Sequence, residues 1–545
     1  MPPPDRDYRP VPVWLILVAL AGGASLSLFA LTEQDGVEGA LVLAGIVVYP
    51  RESPQGLYYF GVWTFLHQLG AVALLAGIPQ VVLDYVYSMA PVALRCAGYA
   101  MFIYGFSRRP RFSILGALAC YASGFLLDSF GSPDYSVRGR LGVPVPYTYG
   151  TFAYGLATWT VGAWAGGRNF LAGISAAILI AAHPVIGCYV AGIMIAIFVL
   201  NRVAQLDLPI GGTARGLAVG SVLTLLSLCG YLAMSPSRGV VDSASFAAYL
   251  RYWDGHRGSP FHLPVVFATL MAIGLFAIVL TRPAEQRSSA SVASLFLLLA
   301  ACVSGLLYLA IHMLPPSLLP TILVSAMPGR LLDIHASLAG PAALGVAVWT
   351  LDRVVVRTAA HTAANQLLKR GWPLLQSALL LVALLVPGNL SKGIAAGREQ
   401  LQTRGMRVGM ASAFWSEVRR ADANGAILTS YYSSVPALHH GHLQVLLNTT
   451  AINFVGYIPR AASAVAKIVT RGYGMSFLNP PPRARELIMD ERPYWSHLTR
   501  REWSTLGGDL GFVGVVAPSD WHLDLPLRVK GADFNLYVLS YNPRN

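Results

Sequence analysis

Apolar runs of roughly 17 to 25 residues recur from one end of this chain to residue 391, and that repetition constrains the fold more than any motif. A stretch of that length matches the hydrocarbon thickness of a bilayer, and a soluble core has no use for a dozen of them. Composition agrees: 12% of the 545 residues are charged and 55% are hydrophobic, whereas a soluble globular domain carries about 25% charged residues. The runs predict spans at 12–32, 57–78, 82–105, 112–130, 149–166, 168–184, 186–201, 214–234, 264–281, 290–313, 331–351 and 374–391. Pro184 in "AAHPVIG" removes a helical donor, so the sixth and seventh are either one broken helix or two short ones. The first run, "VWLILVALAGGASLSLFAL", is long enough to span and reads as a retained helix.

The fold class expected is therefore a polytopic α-helical membrane protein of about 11–13 transmembrane helices with a C-terminal α/β extracytoplasmic domain. The expected division is 1–391 for the helical part and 392–545 for the tail, where the remaining charge and most turn signals collect. "NGAILTSYY" and "GFVGVVAPSDW" predict short strands, and "GMASAFWSEVRRAD" an amphipathic helix.

The net charge of +13 lies mostly in short loops such as "SRRPRF" and "TRPAEQR", which follows the positive-inside pattern and excludes a nucleic-acid surface. Those loops belong on the cytoplasmic side, and the longer loops and the tail on the other. One conflict remains. Two crossings, at 57–78 and 82–105, would carry the chain from an outer loop near residue 35 back to the outer side at "SRRPRF", where basic residues should be inside. One of those stretches is re-entrant, or a further crossing is hidden.

Three loops on the presumed outer side carry chemistry. Glu33, Asp35 and Glu38 follow the first run. A carboxylate there can act as a general base on an acceptor hydroxyl or hold a divalent cation against a phosphate; acids at a helix exit are otherwise ordinary solvated residues. In "YLRYWDGHRGSPFHLP", Arg251, Asp254, His256, Arg257 and His262 alternate with aromatics, a pattern suited equally to a phosphate with a sugar face and to an interfacial belt. In "AMPGRLLDIHA", Arg330, Asp333 and His335 sit at a span's outer end, where charge is costly and points to function. His183 either lines the same cavity or is a packing residue. "HHGH" (His439–His442) shows no fourth ligand at a metal spacing and reads as a solvated loop. The five cysteines all lie in apolar runs, with no disulfide or metal pattern.

The layout resembles the GT-C class of membrane glycosyltransferases, on "TEQDGVE", the "HP" break, "YWDGHRGSPFH" and "MPGR", with "ILTSYY" and "GFVGVVAPSDW" resembling outward domains of bacterial relatives. That resemblance implies sugar transfer from a polyprenyl-phosphate donor to an acceptor at the outer face of a bacterial inner membrane. It implies Asp35, or Glu38, as base, and Arg257, His256, His262 and Arg330 as holders of the lipid phosphate. A divalent cation, Mg or Mn, is compatible with such a site without being required. The implied partners are the lipid-linked sugar and membrane lipid, with no nucleic acid. The competing readings are a transporter or flippase of lipid-linked saccharide, against which stands the lack of an internal repeat, and a non-catalytic scaffold of an envelope polysaccharide assembly.

Overall fold

The computed structural model describes residues 10–27, 35–129, 149–206, 208, 210–235, 239–254, 289–314, 334, 337–338, 340–348, 413–421, 425–431, 433–481 and 490–539. It is mostly helical, with a small sheet near the C-terminus. Three described helices are long and apolar enough to cross a membrane. The chain forms two compact units. One comprises residues 1–34, 84–228 and 259–398; the other comprises 35–83, 229–258 and 399–545. The second unit therefore joins the tail to two segments from far earlier in the chain, a grouping that no cut at a single residue reproduces.

The helices in order are α1 (Val13–Ser27), α2 (Asp35–Leu43), α3 (Pro54–Gly61), α4 (Phe65–Leu75), α5 (Gln80–Ser107), α6 (Pro110–Ser129), α7 (Tyr149–Ala165), α8 (Asn169–Ala182), α9 (Pro184–Val203), α10 (Thr213–Met234), α11 (Ser243–Ala248) and α12 (Ser289–Met313). Those long and apolar enough to cross are α5, α9 and α10. The break at "HP" makes two helices: His183 ends α8 in an extended conformation, and its Nδ1 accepts the Ile186 N–H at 3.4 Å to cap α9. Expected spans at 264–281 and 374–391 lie outside the described residues.

The first unit is held by helices that approach closely at small residues, where backbones can meet. A Cβ on Gly162 would stand 2.2 Å from the Gly98 carbonyl oxygen, so α5 and α7 meet backbone to backbone there. Around that contact pack Trp164, Phe102, Phe112 and Phe296, all fully buried.

One expected span is overturned. Residues 57–78 are not a single helix; the chain leaves helix after Gly61, passes through Val62 and Thr64 in extended conformations, and restarts at Phe65. Thr64 Oγ1 accepts the Leu66 N–H at 3.4 Å, a hydroxyl capping a helix start. A window of hydropathy cannot see such a cap, because Thr in an apolar run hardly lowers the average.

In the second unit the tail carries the two expected strands, β1 (Ala426–Thr429) and β2 (Phe512–Pro518), with β3 (Leu527–Lys530) and β4 (Phe534–Val538). The order is β1-β2-β4-β3, with β1 parallel to β2 and the other pairs antiparallel. A parallel pair needs a long crossover, and here it contains α13 (Ser434–His439), α14 (Ala462–Gly472) and α15 (Arg500–Leu510). The "SAFWSEVRR" stretch is helical over residues 413–420, as its pattern predicts. Thr499 and Glu502 form a reciprocal capping box on α15, and Gly511 ends it with φ 75°, a left-handed position suited to glycine.

Within this domain Glu491 is buried, and its Oε1 accepts the Tyr431 N–H at 2.7 Å. Burial, aided by the nearby Asp490 carboxylate, outweighs that hydrogen bond and pushes the carboxyl up to about 7. The folded state then holds a proton that the unfolded state releases near its ordinary value of 4.5. Between those values the native protein binds more protons, so stability falls as pH rises through that window, by roughly 3 kcal/mol in all. Thermal melting of the full chain in detergent at pH 5 and pH 7.5 is expected to show the lower Tm at pH 7.5, and Glu491→Gln to flatten the difference. Equal melting temperatures for the unmodified chain would remove Glu491 from this role.

Candidate functional site

The acidic segment opens α2, and the structure buries that helix from Val37 to Val42. Glu38 is carried inward with it and is only 2% exposed. A buried carboxylate needs a donor, and Tyr59 supplies one: its hydroxyl donates to Glu38 Oε2 at 3.1 Å. Tyr59 is placed by α3, which starts at Ser53, whose Oγ accepts the Gly56 N–H at 3.1 Å, followed by Pro54, ready-set for a first helical turn.

α2 lies on α4 with no side chain between them at Gly39. A Cβ there would stand 2.4 Å from the His67 ring, so only glycine allows the helices this approach. The His67 imidazole is buried beside two phenols, 6.5 Å from the Tyr58 ring and 6.3 Å from the Tyr59 ring between centroids. Tyr49 completes the group, 5.8 Å from Tyr59. Its burial, and then the Glu38 carboxylate, hold the Tyr49 phenol above its ordinary value against a hydrogen bond from the Val445 backbone. Gly39→Ala is expected to cost about 1–3 kcal/mol by overpacking against the ring. A Tm in detergent unchanged from that of the parent would show that α2 can shift without cost.

This cluster is keyed into the tail. Tyr49 Oη accepts the Val445 N–H at 2.9 Å, and the Tyr58 ring packs on Phe454 at 5.2 Å. The second sequence motif reaches the same place: Tyr249 donates to the Asn453 carbonyl oxygen at 3.1 Å. Trp253 donates from Nε1 to the Phe477 carbonyl oxygen at 2.9 Å, and its ring stacks on Phe477 at 5.1 Å. Asn453 and Phe454 are neighbours in one short 3-10 segment, Thr449–Gly456. Two segments almost 200 residues apart are thus seated on one turn of the tail.

Of the residues singled out in the sequence, Asp35 is the first residue of α2, and its side chain lies outside the described set. Glu38 and Asp254 are buried in the second unit, and Arg251 is exposed with its guanidinium 5.1 Å from the Tyr252 ring centre. His183 is a buried capping residue within the first unit. Glu33, His256, Arg257, His262, Arg330, Asp333 and His335 lie outside the described residues.

The expectation of a solvated "HHGH" loop is corrected. His439 is buried, and the turn docks on the first residue of α5: Gln80 Nε2 donates to the His439 carbonyl oxygen at 2.9 Å, and Gln80 Oε1 pairs with His442 Nε2 at 3.0 Å. Burial, then the Arg419 charge and the neighbouring histidines, lower His442 to about 4, which keeps the ring neutral at its partner. Among the described residues no group of three His, Cys, Asp or Glu side chains is arranged to hold a metal.

Tyr49, Tyr58 and Tyr59 do not read as a site in the sequence because they lie inside or beside a run that reads as membrane-spanning, and His67, with Gln68, reads there only as a weak lone polar candidate. The only available signal was "YY" in an apolar stretch, and its pairing with Glu38 crosses 21 residues. Neither a protein-family model nor a curated protein matches this chain.

Proposed function

We propose that this chain is a polytopic inner-membrane enzyme of the GT-C kind, transferring a sugar from a polyprenyl-phosphate donor to an acceptor at the outer face. The observation that supports the reading best is the seating of α3, whose Tyr59 holds Glu38 of the "DGVE" helix, and of the "YLRYWD" segment on one turn of the tail, through Tyr58 at Phe454 and Tyr249 at Asn453. Acids that merely stop a helix have no need of a buried carboxylate tied to a phenol. The topology supports it too. With 57–78 replaced by two short helices, only α5 separates the acidic segment from "SRRPRF", so acids outside and arginines inside now agree.

In the proposed step Asp35 accepts the proton of the acceptor hydroxyl as that oxygen bonds to the sugar's anomeric carbon. The bond from that carbon to the phosphate oxygen breaks, and polyprenyl phosphate leaves with the electron pair. His256 and Arg257 balance the phosphate charge, an electrostatic contribution aimed at the leaving group. Glu38, buried and bonded to Tyr59, positions α2 rather than meeting substrate.

The test is reconstitution of the full chain in proteoliposomes with radiolabelled polyprenyl-phosphate hexose and pentose donors and envelope polysaccharide as acceptor. Labelled polymer together with free polyprenyl phosphate is the expected result. Movement of intact labelled donor across the bilayer without its cleavage would establish the flippase reading instead, and neither outcome with any donor would favour the scaffold.

A further inference from the structure

α4 has two unlike faces, both apolar. Leu66, His67, Gly70 and Ala71 turn inward, against α2. On the opposite side Leu69, Val72 and Leu75 are 48%, 63% and 71% exposed, and Ile78 continues the surface beyond the helix end. Spacings of three residues put these side chains on one stripe. From Ser53 to Leu83 there is no Asp, Glu, Lys or Arg. An aqueous surface would not be built this way, since soluble proteins rarely leave a contiguous apolar patch uncovered.

The helix is also too short to cross. Eleven residues rise about 16 Å, roughly half of a 30 Å hydrocarbon core. Yet both of its ends are attached to helices that are long enough. At its C-terminal end only Ala76–Pro79 intervene before α5, whose first exposed residues, Val81 and Val82, are again apolar. At its N-terminal end the linker from α3 meets the last turns of α10: Tyr231 donates to the Gly61 carbonyl oxygen at 3.2 Å, and Trp63 stacks on Tyr231 at 6.3 Å. An aromatic pair of this kind is typical of the level where headgroups begin.

We infer that α4 is a half-depth helix lying in one leaflet, its Leu69–Val72–Leu75 face against lipid acyl chains and its opposite face carrying the acidic helix α2. The inference rests on the membrane reading above, and it names acyl chains, not a second protein, as the occupant. Attachment at both ends to bilayer-length helices leaves the exposed stripe at the depth of their outer turns. The backbone of α4 satisfies its own hydrogen bonds, as any lipid-facing segment must. The acid-bearing helix would then be held at the membrane surface by a short buried platform, which a loop in water could not provide.

The test uses the full chain with Cys120, Cys188, Cys229 and Cys302 changed to Ala, leaving Cys96, which is buried. Val72→Cys and Leu75→Cys carry a nitroxide in phosphatidylethanolamine–phosphatidylglycerol proteoliposomes, and collision with oxygen is compared with collision with a water-soluble nickel chelate. Leu226→Cys, on the exposed side of α10, reports lipid, and Asp242→Cys reports water. Both α4 labels are expected to follow Leu226, with oxygen favoured several-fold. Nickel-accessible α4 labels beside a lipid-accessible Leu226 label would overturn the inference and leave the membrane reading standing. Nickel access at all three would overturn the membrane reading itself. Immobile α4 labels reached by neither agent would show protein covering the stripe, which also overturns the inference. Two positions on one face guard against a single variant that fails to fold.

Discussion

Asp35→Asn is expected to lower sugar transfer in proteoliposomes by roughly 100- to 10,000-fold, the range lost with a general base. Asparagine keeps the size and the helix-start preference of the aspartate, so α2 should still form and the melting temperature should hold. Donor binding should survive as well, because the proton of the acceptor is the only thing Asp35 is proposed to handle. Glu38→Gln makes the informative comparison. Glutamine still accepts from the Tyr59 hydroxyl at the position of Glu38 Oε2, so a positioning residue should retain most of the activity. If Asp35→Asn transfers at the parent rate while Glu38→Gln is inactive, the two roles are reversed. Loss in neither would take both acids out of the chemistry.

The second large effect is on the tail. Trp495 is fully buried, with Tyr473, Trp503 and Trp521 packed around it at 5.7 to 5.8 Å between ring centres. Its Nε1 donates to the Gly472 carbonyl oxygen at 2.8 Å, which fixes the end of α14. Trp495→Ala should cost about 3–5 kcal/mol, the usual loss for deleting a buried aromatic. It also leaves the Gly472 carbonyl without that donor. Thermal melting of the full chain, followed by near-ultraviolet dichroism, is expected to show an early transition for the tail. Trp495→Phe should lose less, since it keeps most of the apolar area. On the proposed reading, transfer activity should fall along with tail order, because α2 is keyed through Tyr49 and Tyr58 to Val445 and Phe454. Full activity with a melted tail would separate the tail from the reaction.

Much of the helical layout was open to inspection in the chain itself. The expected stretches at 82–105, 149–166, 168–184, 186–201, 214–234 and 290–313 match helices to within a few residues, since apolar runs of that length carry their own signal. Two of the four strands of the tail, β1 and β2, are equally plain, as are the break at His183–Pro184 and the helix over 413–420. Residues 57–78 are the exception. There an apolar run is divided by a threonine cap and serves as two short helices, and mean hydropathy does not distinguish a crossing from a platform.

The site was less accessible. "DGVE" and "YLRYWD" were noticed for their charges, but what the structure reveals of them is mostly the work of Tyr49, Tyr58, Tyr59, Tyr249 and Trp253. Those residues read as ordinary membrane aromatics until their partners are known. "HHGH" illustrates the reverse error. Its composition suggests solvent or metal, yet its role is to dock on Gln80, more than 350 residues earlier.

The sequence by itself determined the helical class, the length and placement of most of the long apolar helices and the two strands β1 and β2, because each is set by periodicity and caps within a few residues. Only the tertiary structure decided that residues 35–83 and 229–258 form one unit with the tail, that Glu38 is a buried anchor, and that α4 exposes an apolar stripe. Those depend on contacts between residues tens to hundreds of positions apart, which are fixed by shape complementarity and by the cost of leaving a buried carboxylate or amide unpaired, and no local pattern records them.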